Sequence, residues 1–358
     1  MPPESVSRTN NEGLSCPIEL NRDVPHVTLA HGDGGRLTRQ LVREHITNRL
    51  ANVHLQSLDD AACLPQPVGP LAVTTDSFVV TPLFFPGGDI GSLAVYGTVN
   101  DLAVSGAHPC WLTLALILEE GLPLAVLDQV IASVASAARR SDVAIVAGDT
   151  KVVPRGAVDG LFINTTGIGV FHSPVPAGPK SLTPGDELII SGPVGQHGIA
   201  VMAARERLSF DPAPHSDSLP LVKPIRVLRE QLGSRVKAMR DATRGGVAAV
   251  LHEWAEAARV TLAVEQATFP MPDELRGLSE LLGVDPLYFA GEGVFLLAVE
   301  PGACEAALAI LRCHPESKLA ARVGEVQAQQ RFPVTIRRAL GTTQPLDEPT
   351  TALLPRIC

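Results

Sequence analysis

Four aspartates stand where apolar segments meet turns, and together they could bind a divalent cation. They are Asp76, Asp101, Asp149 and Asp241. Magnesium prefers carboxylate oxygens and leaves room for phosphate and water, so the set is compatible with chemistry on a nucleotide. Each aspartate taken alone can instead cap a helix or shape a turn. The chain has neither a Walker A motif nor the protein-kinase signature, so a nucleotide site here would be of another kind.

Other polar positions could complete such a site. Lys151 directly follows Asp149 and Thr150, and its charge could neutralise a transferring γ-phosphoryl group, unless it is a solvated surface lysine. Glycine turns at 31–35 and 244–246 could let backbone N–H groups approach phosphates, although such clusters are more often only turns. Glu292 lies between two glycines before an apolar strand and could be a general base; the alternative is an ordinary strand-entry turn.

The last residue, Cys358, is unusual by its position. A terminal cysteine cannot pack into a core without bringing its carboxylate along, which is costly to bury. Prenylation is excluded because nothing follows the cysteine. A thiol at the end of an arm is suited to carry a covalent group between sites, since a thiolate is a strong nucleophile. A chance occurrence is the alternative.

The composition narrows the class of protein. The 358 residues include 29 basic and 38 acidic ones, a formal net charge of −9. Without a strong basic block this argues against nucleic-acid binding, and the length predicts two domains. No apolar run reaches the roughly 18 residues of a membrane span, and the first 25 residues lack an apolar signal region. We therefore expect a cytoplasmic protein, whose six cysteines are reduced and form no disulfide framework.

Apolar periodicity predicts a mixed α/β chain. Helices are expected over 36–54, 91–106, 122–140, 196–207, 221–232 and 302–313, with one more beginning at 245–246. Strands are expected over 71–80, 111–118, 143–150, 161–170, 187–192, 261–265, 293–299 and 333–338. A proline-rich stretch at 172–186 predicts a domain boundary. The last twenty residues have no periodicity and are interpreted as an extended tail.

Several motifs together resemble the hydrogenase-maturation family HypE. They are AHGDGG (30–35), TTDS (74–77), PLFFPGG (82–88), NDLAVSGA (100–107), ILEEGLP (117–123), GDTKVV (148–153), RGAVD (155–159), RDATRGGV (240–247) and the terminal PRIC. The similarity runs from residue 27 to the end of the chain. The acidic motifs are shared more loosely with aminoimidazole ribonucleotide synthetase, selenophosphate synthetase and thiamine-phosphate kinase. Three positions depart from the family pattern: Asp33, Gln196 and Gly291.

The resemblance implies a fold of class α/β (α+β), the two-domain aminoimidazole-ribonucleotide-synthetase type. In that fold the N-terminal sheet forms a barrel with a second subunit, so a homodimer is expected. The implied division is a disordered extension over 1–26, an ATP-binding and dimerisation domain over 27–173, a C-terminal α/β domain over 174–337 and a mobile tail over 338–358.

The resemblance also implies a reaction in [NiFe]-hydrogenase maturation. A carbamoyl group on Cys358, loaded by the carbamoyltransferase HypF, is dehydrated with ATP to a thiocyanate, and the cyano group passes to iron held by HypC–HypD. ATP and Mg²⁺ are the implied cofactors. The implied catalytic residues are Cys358, Lys151 and Glu292; the implied metal ligands are Asp76, Asp101, Asp149 and Asp241; and the implied ATP-binding residues are Asn100, Thr150, Lys151, Gly34, Gly35, Arg244 and Gly245.

Two other functions stay open from the sequence. One is another ATP-dependent synthetase of the superfamily, such as selenophosphate synthetase, whose reactive cysteine we would expect in the glycine-rich segment near the N-terminus. Here that segment contains His31 and no cysteine. The other is a non-enzymatic scaffold that binds nucleotide as a switch and offers Cys358 to a partner as a metal ligand.

Overall fold

The N-terminal half of the protein is built on a four-stranded sheet. The structure, a computed structural model, describes residues 25–56, 58–350 and 357. The strands of this half are β1 (Leu71–Phe78), β2 (Phe84–Phe85), β3 (Gly88–Asp89), β4 (His108–Glu119), β5 (Ala144–Val153) and β6 (Leu161–Val170). The main sheet has the order β1-β6-β4-β5, with β4 and β5 parallel, and β2 and β3 form a separate hairpin. β1 and β5 are therefore the edge strands.

Helices cover one face of this sheet. They are α1 (Arg36–Leu41), which continues through a π-helical turn, Val42–Thr47, into α2 (Asn48–Leu50), then α3 (Ile90–Val104) and α4 (Leu124–Ser141). In α3, 13 of 15 residues are buried, so it is apolar on all sides, as expected for a helix inside a protein. Asp89 begins α3 by accepting the N–H groups of Gly91 and Ser92 at 2.7 and 3.0 Å.

The opposite face of the sheet is open. Side chains alternate between the two faces of a strand, and along β1 every second residue from Leu71 is exposed. Leu71, Val73 and Ile117 are 55%, 67% and 38% exposed, respectively. This face thus carries large apolar side chains that no element of the described part of the chain covers.

The C-terminal half contains a seven-stranded sheet. Its strands are β7 (Glu187–Ile190), β8 (Val236–Asp241), β9 (Thr261–Glu265), β10 (Phe295–Val299), β11 (Ala321–Gln327), β12 (Val334–Arg337) and β13 (Thr343–Pro345), in the order β13-β12-β9-β11-β7-β10-β8. Its helices are α5 (Gln196–Arg205), α6 (Val222–Leu232), α7 (Gly246–Ala258), α8 (Asp273–Leu282) and α9 (Cys304–Arg312). β10 is buried along its whole length, as a central strand between helical layers should be.

The mixed α/β class is confirmed, and most predicted elements are present within a few residues of their expected ends. The sequence does not predict one helix and five strands, namely α8, β2, β3, β8, β11 and β13. β11 contains a register shift beside Gly324, which breaks the two-residue alternation that a strand prediction depends on. α8 has Gly277 in its interior, where glycine weakens the helical pattern.

The C-terminal segment is packed further than predicted. β13 pairs with β12, and Leu346 is 3% exposed, with its N–H donating to the carbonyl of Val334 at 3.1 Å. This part of the predicted tail is therefore held on the sheet rather than extending from residue 338. Residues 351–356 and Cys358 lie outside the described residues. Within the described ranges, no helix is long and apolar enough to cross a membrane.

Candidate active site

Three of the predicted aspartates meet where the two halves of the protein touch. Asp76 lies on β1 and faces α3, Asp101 lies near the end of α3, and Asp241 is the last residue of β8. The hydroxyl of Thr74, two residues before Asp76 on the same face, donates to Oδ2 of Asp101 at 2.8 Å. We call Asp76, Asp101 and Asp241 the carboxylate cluster.

The electrostatics of the carboxylate cluster favour a bound cation. Burial, followed by the charge of Asp101 and a hydrogen bond with it, raises the pKa of Asp76 to about 6. Burial and the charge of Asp101 raise the pKa of Asp241 to about 7. Arg244 and Arg240 oppose these shifts at Asp76 but do not cancel them. Carboxylates that resist ionisation in one another's field are stabilised as anions when a cation binds between them.

Glu292 faces this cluster from a loop of the C-terminal half. It is 2% exposed, and its Oε1 has no hydrogen-bond partner among the described residues. Burial raises its pKa well above the ordinary value, and the charges of Asp241 and Asp217 act in the same direction. An unpartnered buried carboxyl oxygen is costly, which points to a functional role rather than a structural one.

The amide of Asn100 holds the Glu292 loop against α3. Its Nδ2 donates to the carbonyls of Leu219 and Glu292, both at 3.0 Å, and its Oδ1 accepts the N–H of Leu221 at 2.8 Å. Both donor hydrogens of the amide are thereby used. These contacts position Glu292, and the assignment of Asn100 to ATP binding stays a prediction.

Asp217 is a member of the site that the sequence analysis missed. Its carboxylate accepts the backbone N–H groups of Glu292 and Gly293 at 3.0 and 3.1 Å. Burial nevertheless raises its pKa to about 6. In the sequence Asp217 lies in a polar connection between two helices, with no motif around it, so only the fold identifies it.

A second group of predicted residues lies on and beside β5. Asp149, Thr150 and Lys151 are consecutive residues of this edge strand, and the turn that contains Gly34 and Gly35 leads into α1. Gly34 has a φ of +79°, a conformation that favours glycine. A cavity of about 470 Å³ adjoins this group, and its lining residues include Asp149, Thr150, Thr38, Arg39 and Arg43.

The two groups do not meet within one chain. Across the sheet, Asp76 pairs with Thr165, Thr165 with Leu114 and Leu114 with Gly148. Three strand spacings separate Asp76 from β5 by about 14 Å. The register also places Asp149 and Lys151 on the open face, opposite Asp76. Within one chain Asp149 therefore lies apart from the carboxylate cluster, and no group of three or more His, Cys, Asp or Glu among the described residues could hold a metal by itself. The assignment of all four aspartates to magnesium stays a prediction.

The start of α7 adds a positive pole near the carboxylate cluster. Gly245 precedes the helix with a φ of +77°, and Arg244 just before it lies close enough to lower the pKa of Asp76. A helix N-terminus of this length presents backbone N–H groups to anions. The structure thus brings Arg244 and Gly245 to the carboxylate cluster, whereas Gly34 and Gly35 belong to the β5 group.

The end of the chain reaches the same region. Ile357 is 8% exposed, and its carbonyl oxygen lies 2.7 Å from Nε2 of His197. The predicted carrier Cys358 follows it in the sequence and lies outside the described residues.

Comparison with known proteins places the chain in a family. Residues 58–171 match the family described as AIR synthase related protein, N-terminal domain, and residues 183–337 match AIR synthase related protein, C-terminal domain. Fold and site thus define a protein of the AIR synthase-related class. Within this class the chain belongs to the HypE family, because HypE proteins are 40–47% identical to it over 93% or more of its length, which confirms the resemblance.

The HypE relatives are similar along nearly their whole length. The carbamoyl dehydratase HypE of Escherichia coli is 47% identical over 338 residues, which cover 93% of this chain and 99% of that protein. The carbamoyl dehydratase HypE of Cupriavidus necator is 41% identical over 99% of this chain and 100% of that protein. A crystal structure of the hydrogenase maturation protein HypE in complex with ATP matches with a TM-score of 0.88 and 42% identity, covering 92% of this chain and 99% of that one.

Proposed function

We propose that this protein is an ATP-dependent carbamoyl dehydratase in [NiFe]-hydrogenase maturation. Family membership supports the reaction, because relatives similar over nearly the whole chain are named carbamoyl dehydratases and one was crystallised with ATP. The structural observation that carries the proposal is Glu292, a buried carboxyl group with an unpartnered oxygen. It belongs to the region where the end of the chain docks.

The reaction converts a thiocarboxamide on the Cys358 sulfur to a thiocyanate. The amide oxygen is a poor leaving group, so the γ-phosphoryl group of ATP is first transferred to it, with release of ADP. The C–O bond then breaks and phosphate leaves. The nitrogen loses its two protons, one to Glu292 and one to the departing phosphate, and the carbon–nitrogen bond becomes triple. Glu292 would accept a proton from that nitrogen, since its raised pKa makes its ionised form a stronger base than an ordinary glutamate.

The carboxylate cluster would hold magnesium together with the phosphates. Mg²⁺ is usually bound by one or two carboxylates plus substrate phosphates, and the hydrogen-bonded Asp76 and Asp101 with the nearby Asp241 offer such a donor set. When bound, the ion would supply positive charge to the triphosphate. Asp217 and Asn100 would keep the Glu292 loop in place while the charges of the site change.

A homodimer would unite the two groups of site residues. β1 and β5 are the two edges of the N-terminal sheet, and each presents unpaired backbone groups to a second copy. Pairing β1 of one protomer with β5 of its partner would place the strand that carries a second copy of Asp149, Thr150 and Lys151 next to the strand that carries Asp76. Lys151 would then stabilise the transferring phosphoryl group. The open apolar face around Val73 and Ile117 would be covered at the same time.

We propose the same partners that the resemblance implies. A crystal structure of a HypE–HypF complex matches this chain with a TM-score of 0.76 and 43% identity, which supports a HypF-type carbamoyltransferase as the donor to Cys358. HypC–HypD would receive the cyano group. We further propose the division into the domains 27–173 and 174–337. The first contains the four-stranded sheet, and the second contains every strand of the seven-stranded sheet except β13.

Mass spectrometry of the C-terminal peptide tests the reaction. The full-length protein is incubated with a HypF-type carbamoyltransferase, carbamoyl phosphate and Mg-ATP. We expect the peptide to gain the mass of a carbamoyl group and then to lose one water. Glu292→Gln, which keeps the size of the side chain, should load normally and stop before the water is lost. Glu253→Gln, on the exposed side of α7, is the matched control.

The outcome separates the alternatives. Wild-type protein that is loaded with carbamoyl, receives Mg-ATP and never loses water at Cys358 would refute a dehydratase. Unchanged water loss in Glu292→Gln would instead remove Glu292 from the proton transfer. ATP binding without any mass change on the peptide would favour the nucleotide-switched scaffold.

A further inference from the structure

His197 is the second residue of α5, and both of its ring nitrogens are engaged. The side chain is fully buried. Its Nε2 lies 2.7 Å from the carbonyl oxygen of Ile357, and its Nδ1 lies 2.8 Å from the hydroxyl of Ser216. His197 therefore joins the end of the chain to a loop of the C-terminal half.

The partners of the ring determine where its proton lies. A carbonyl oxygen can only accept a hydrogen bond, so Nε2 must carry the hydrogen that bonds Ile357. Nδ1 then accepts from the hydroxyl of Ser216, whose oxygen in turn accepts the N–H of Ser218 at 3.1 Å. Burial lowers the pKa of His197 to about 4, so the ring is neutral at neutral pH. Ser216 thus selects the one neutral tautomer that can bind the chain end.

The pocket around this contact is built from both halves of the protein. The ring of Phe85 in β2 meets His197 edge to face, with centroids 5.4 Å apart and planes at 83°. The backbone of Ser216 is fixed as well, because its N–H donates to the carbonyl of Pro86 at 2.8 Å. The site that receives the Ile357 carbonyl is therefore rigid.

An upstream part of the C-terminal segment is attached independently. Nε2 of His252 lies 3.0 Å from the carbonyl of Leu346, and the hydroxyl of Tyr288 donates to the carbonyl of Asp347 at 2.8 Å. Leu346 is also paired with Val334 through the backbone. Loss of the contact at Ile357 would thus leave the segment anchored at 346–347.

We propose that His197 is a positioning residue that docks the penultimate carbonyl and so sets the chain end beside Glu292. The connection between the two sites is short, because Ser216, which bonds the ring of His197, is followed by Asp217, whose carboxylate accepts the backbone N–H of Glu292 at 3.0 Å. His197 touches neither phosphate nor the reacting carbon in this scheme. The consequence for dehydration rests on the proposed function, whereas docking itself does not.

Alkylation of the cysteines in the full-length protein tests the docking. The protein is treated with iodoacetamide without ATP or carbamoyl phosphate, and the rate at Cys358 is measured by peptide mass spectrometry. The exposed thiols of Cys63 and Cys313 serve as internal references. We expect His197→Ala to raise the rate at Cys358 about tenfold relative to these references, the effect of losing a buried hydrogen bond.

Three further variants distinguish a specific role of His197 in docking the chain end from a general destabilisation of the fold. His197→Gln retains an N–H donor at the same reach as Nε2 and should restore most of the wild-type rate. Ser216→Ala frees Nδ1 to take the proton and should give an intermediate rate, and it tests the proposal even if His197→Ala does not fold. His252→Gln removes a comparable buried histidine and should leave the rate at Cys358 unchanged.

Specific results would overturn the proposal. They are a wild-type alkylation rate in folded His197→Ala, an unchanged rate in Ser216→Ala, or an equal increase in His252→Gln. Once docking is established, carbamoyl-loaded His197→Ala should lose water more slowly in a single turnover, and His197→Gln should recover the rate. A wild-type protein that never dehydrates would refute the proposed function and leave the alkylation result standing.

Discussion

Replacing Asp241 by asparagine should stabilise the protein at alkaline pH while impairing its activity. Burial and the charge of Asp101 raise the pKa of Asp241 from an ordinary 3.8 to about 7 in the folded protein. The folded state therefore binds a proton that the unfolded chain releases, and stability falls as the pH rises from 3.8 through 7. Asparagine has no charge to bury and avoids this loss.

The size of the effect follows from the shift. About three pKa units, at about 1.4 kcal/mol each, correspond to roughly 4 kcal/mol at pH 8.5, where the whole difference counts against the folded state. At pH 5.5 the cost is roughly half as large, since the folded protein still keeps the proton. Part of this cost is repulsion from the charges of Asp101 and Asp76, which can adjust their own ionisation. We therefore expect Asp241→Asn to raise the free energy of unfolding at pH 8.5 by on the order of 2 to 4 kcal/mol.

Urea unfolding of wild type and variant at pH 5.5 and pH 8.5 measures this gain. Glu253→Gln is the matched control, because Glu253 also pairs with Arg240, at 3.9 Å, but is exposed. This substitution should change the free energy of unfolding by less than about 1 kcal/mol. Mg-ATP should stabilise the wild type more than Asp241→Asn. Two results would refute the claim that ionised Asp241 destabilises the folded protein. One is a lower free energy of unfolding for Asp241→Asn than for wild type at pH 8.5. The other is a difference between the two proteins that does not increase with pH.

Two further predictions concern the β5 group and the dimer. In the mass-spectrometric assay, Lys151→Ala should still be loaded with carbamoyl at Cys358 but should not lose water. Lys180→Ala, at an exposed position, is the control and should behave as wild type. Normal thiocyanate formation in Lys151→Ala would exclude the proposed role of Lys151. Val73→Lys places a charge on the open face of β1 and should convert a dimer to a monomer in light scattering, while Val68→Lys, at a 91% exposed position before β1, should not. A dimer that persists in Val73→Lys would argue against assembly through this face.

Local patterns in the sequence were sufficient for most of the secondary structure. β6 spans the predicted range 161–170 because its apolar run is bounded by turns, and α4 follows the predicted amphipathic pattern. β11 was missed because a register shift is a property of strand pairing, which a single segment does not encode. The packing of 343–346 was missed for the same reason, since β13 gains its order from β12.

The sequence was sufficient to predict which residues belong to the site, but not how these residues are placed relative to one another. Asp76, Asp101, Asp241 and Glu292 are polar residues beside apolar segments, and that contrast is visible in the sequence. The sequence analysis assigns no function to His197, whose contact with Ile357 spans 160 positions of the chain. No local signal relates residues that far apart.

The sequence by itself determined the chemistry available to this protein: carboxylates for a metal, a lysine, a candidate base, a terminal thiol, and the HypE family. Only the tertiary structure decided which of these groups act together. The strand order β1-β6-β4-β5 separates Asp76 from Asp149, and the contact between α3 and the C-terminal half sets the amide of Asn100 against the backbone of Glu292. The physical reason is that pKa shifts and hydrogen bonds depend on distances of a few ångströms, and sheet register and helix packing set those distances between residues that are remote in sequence.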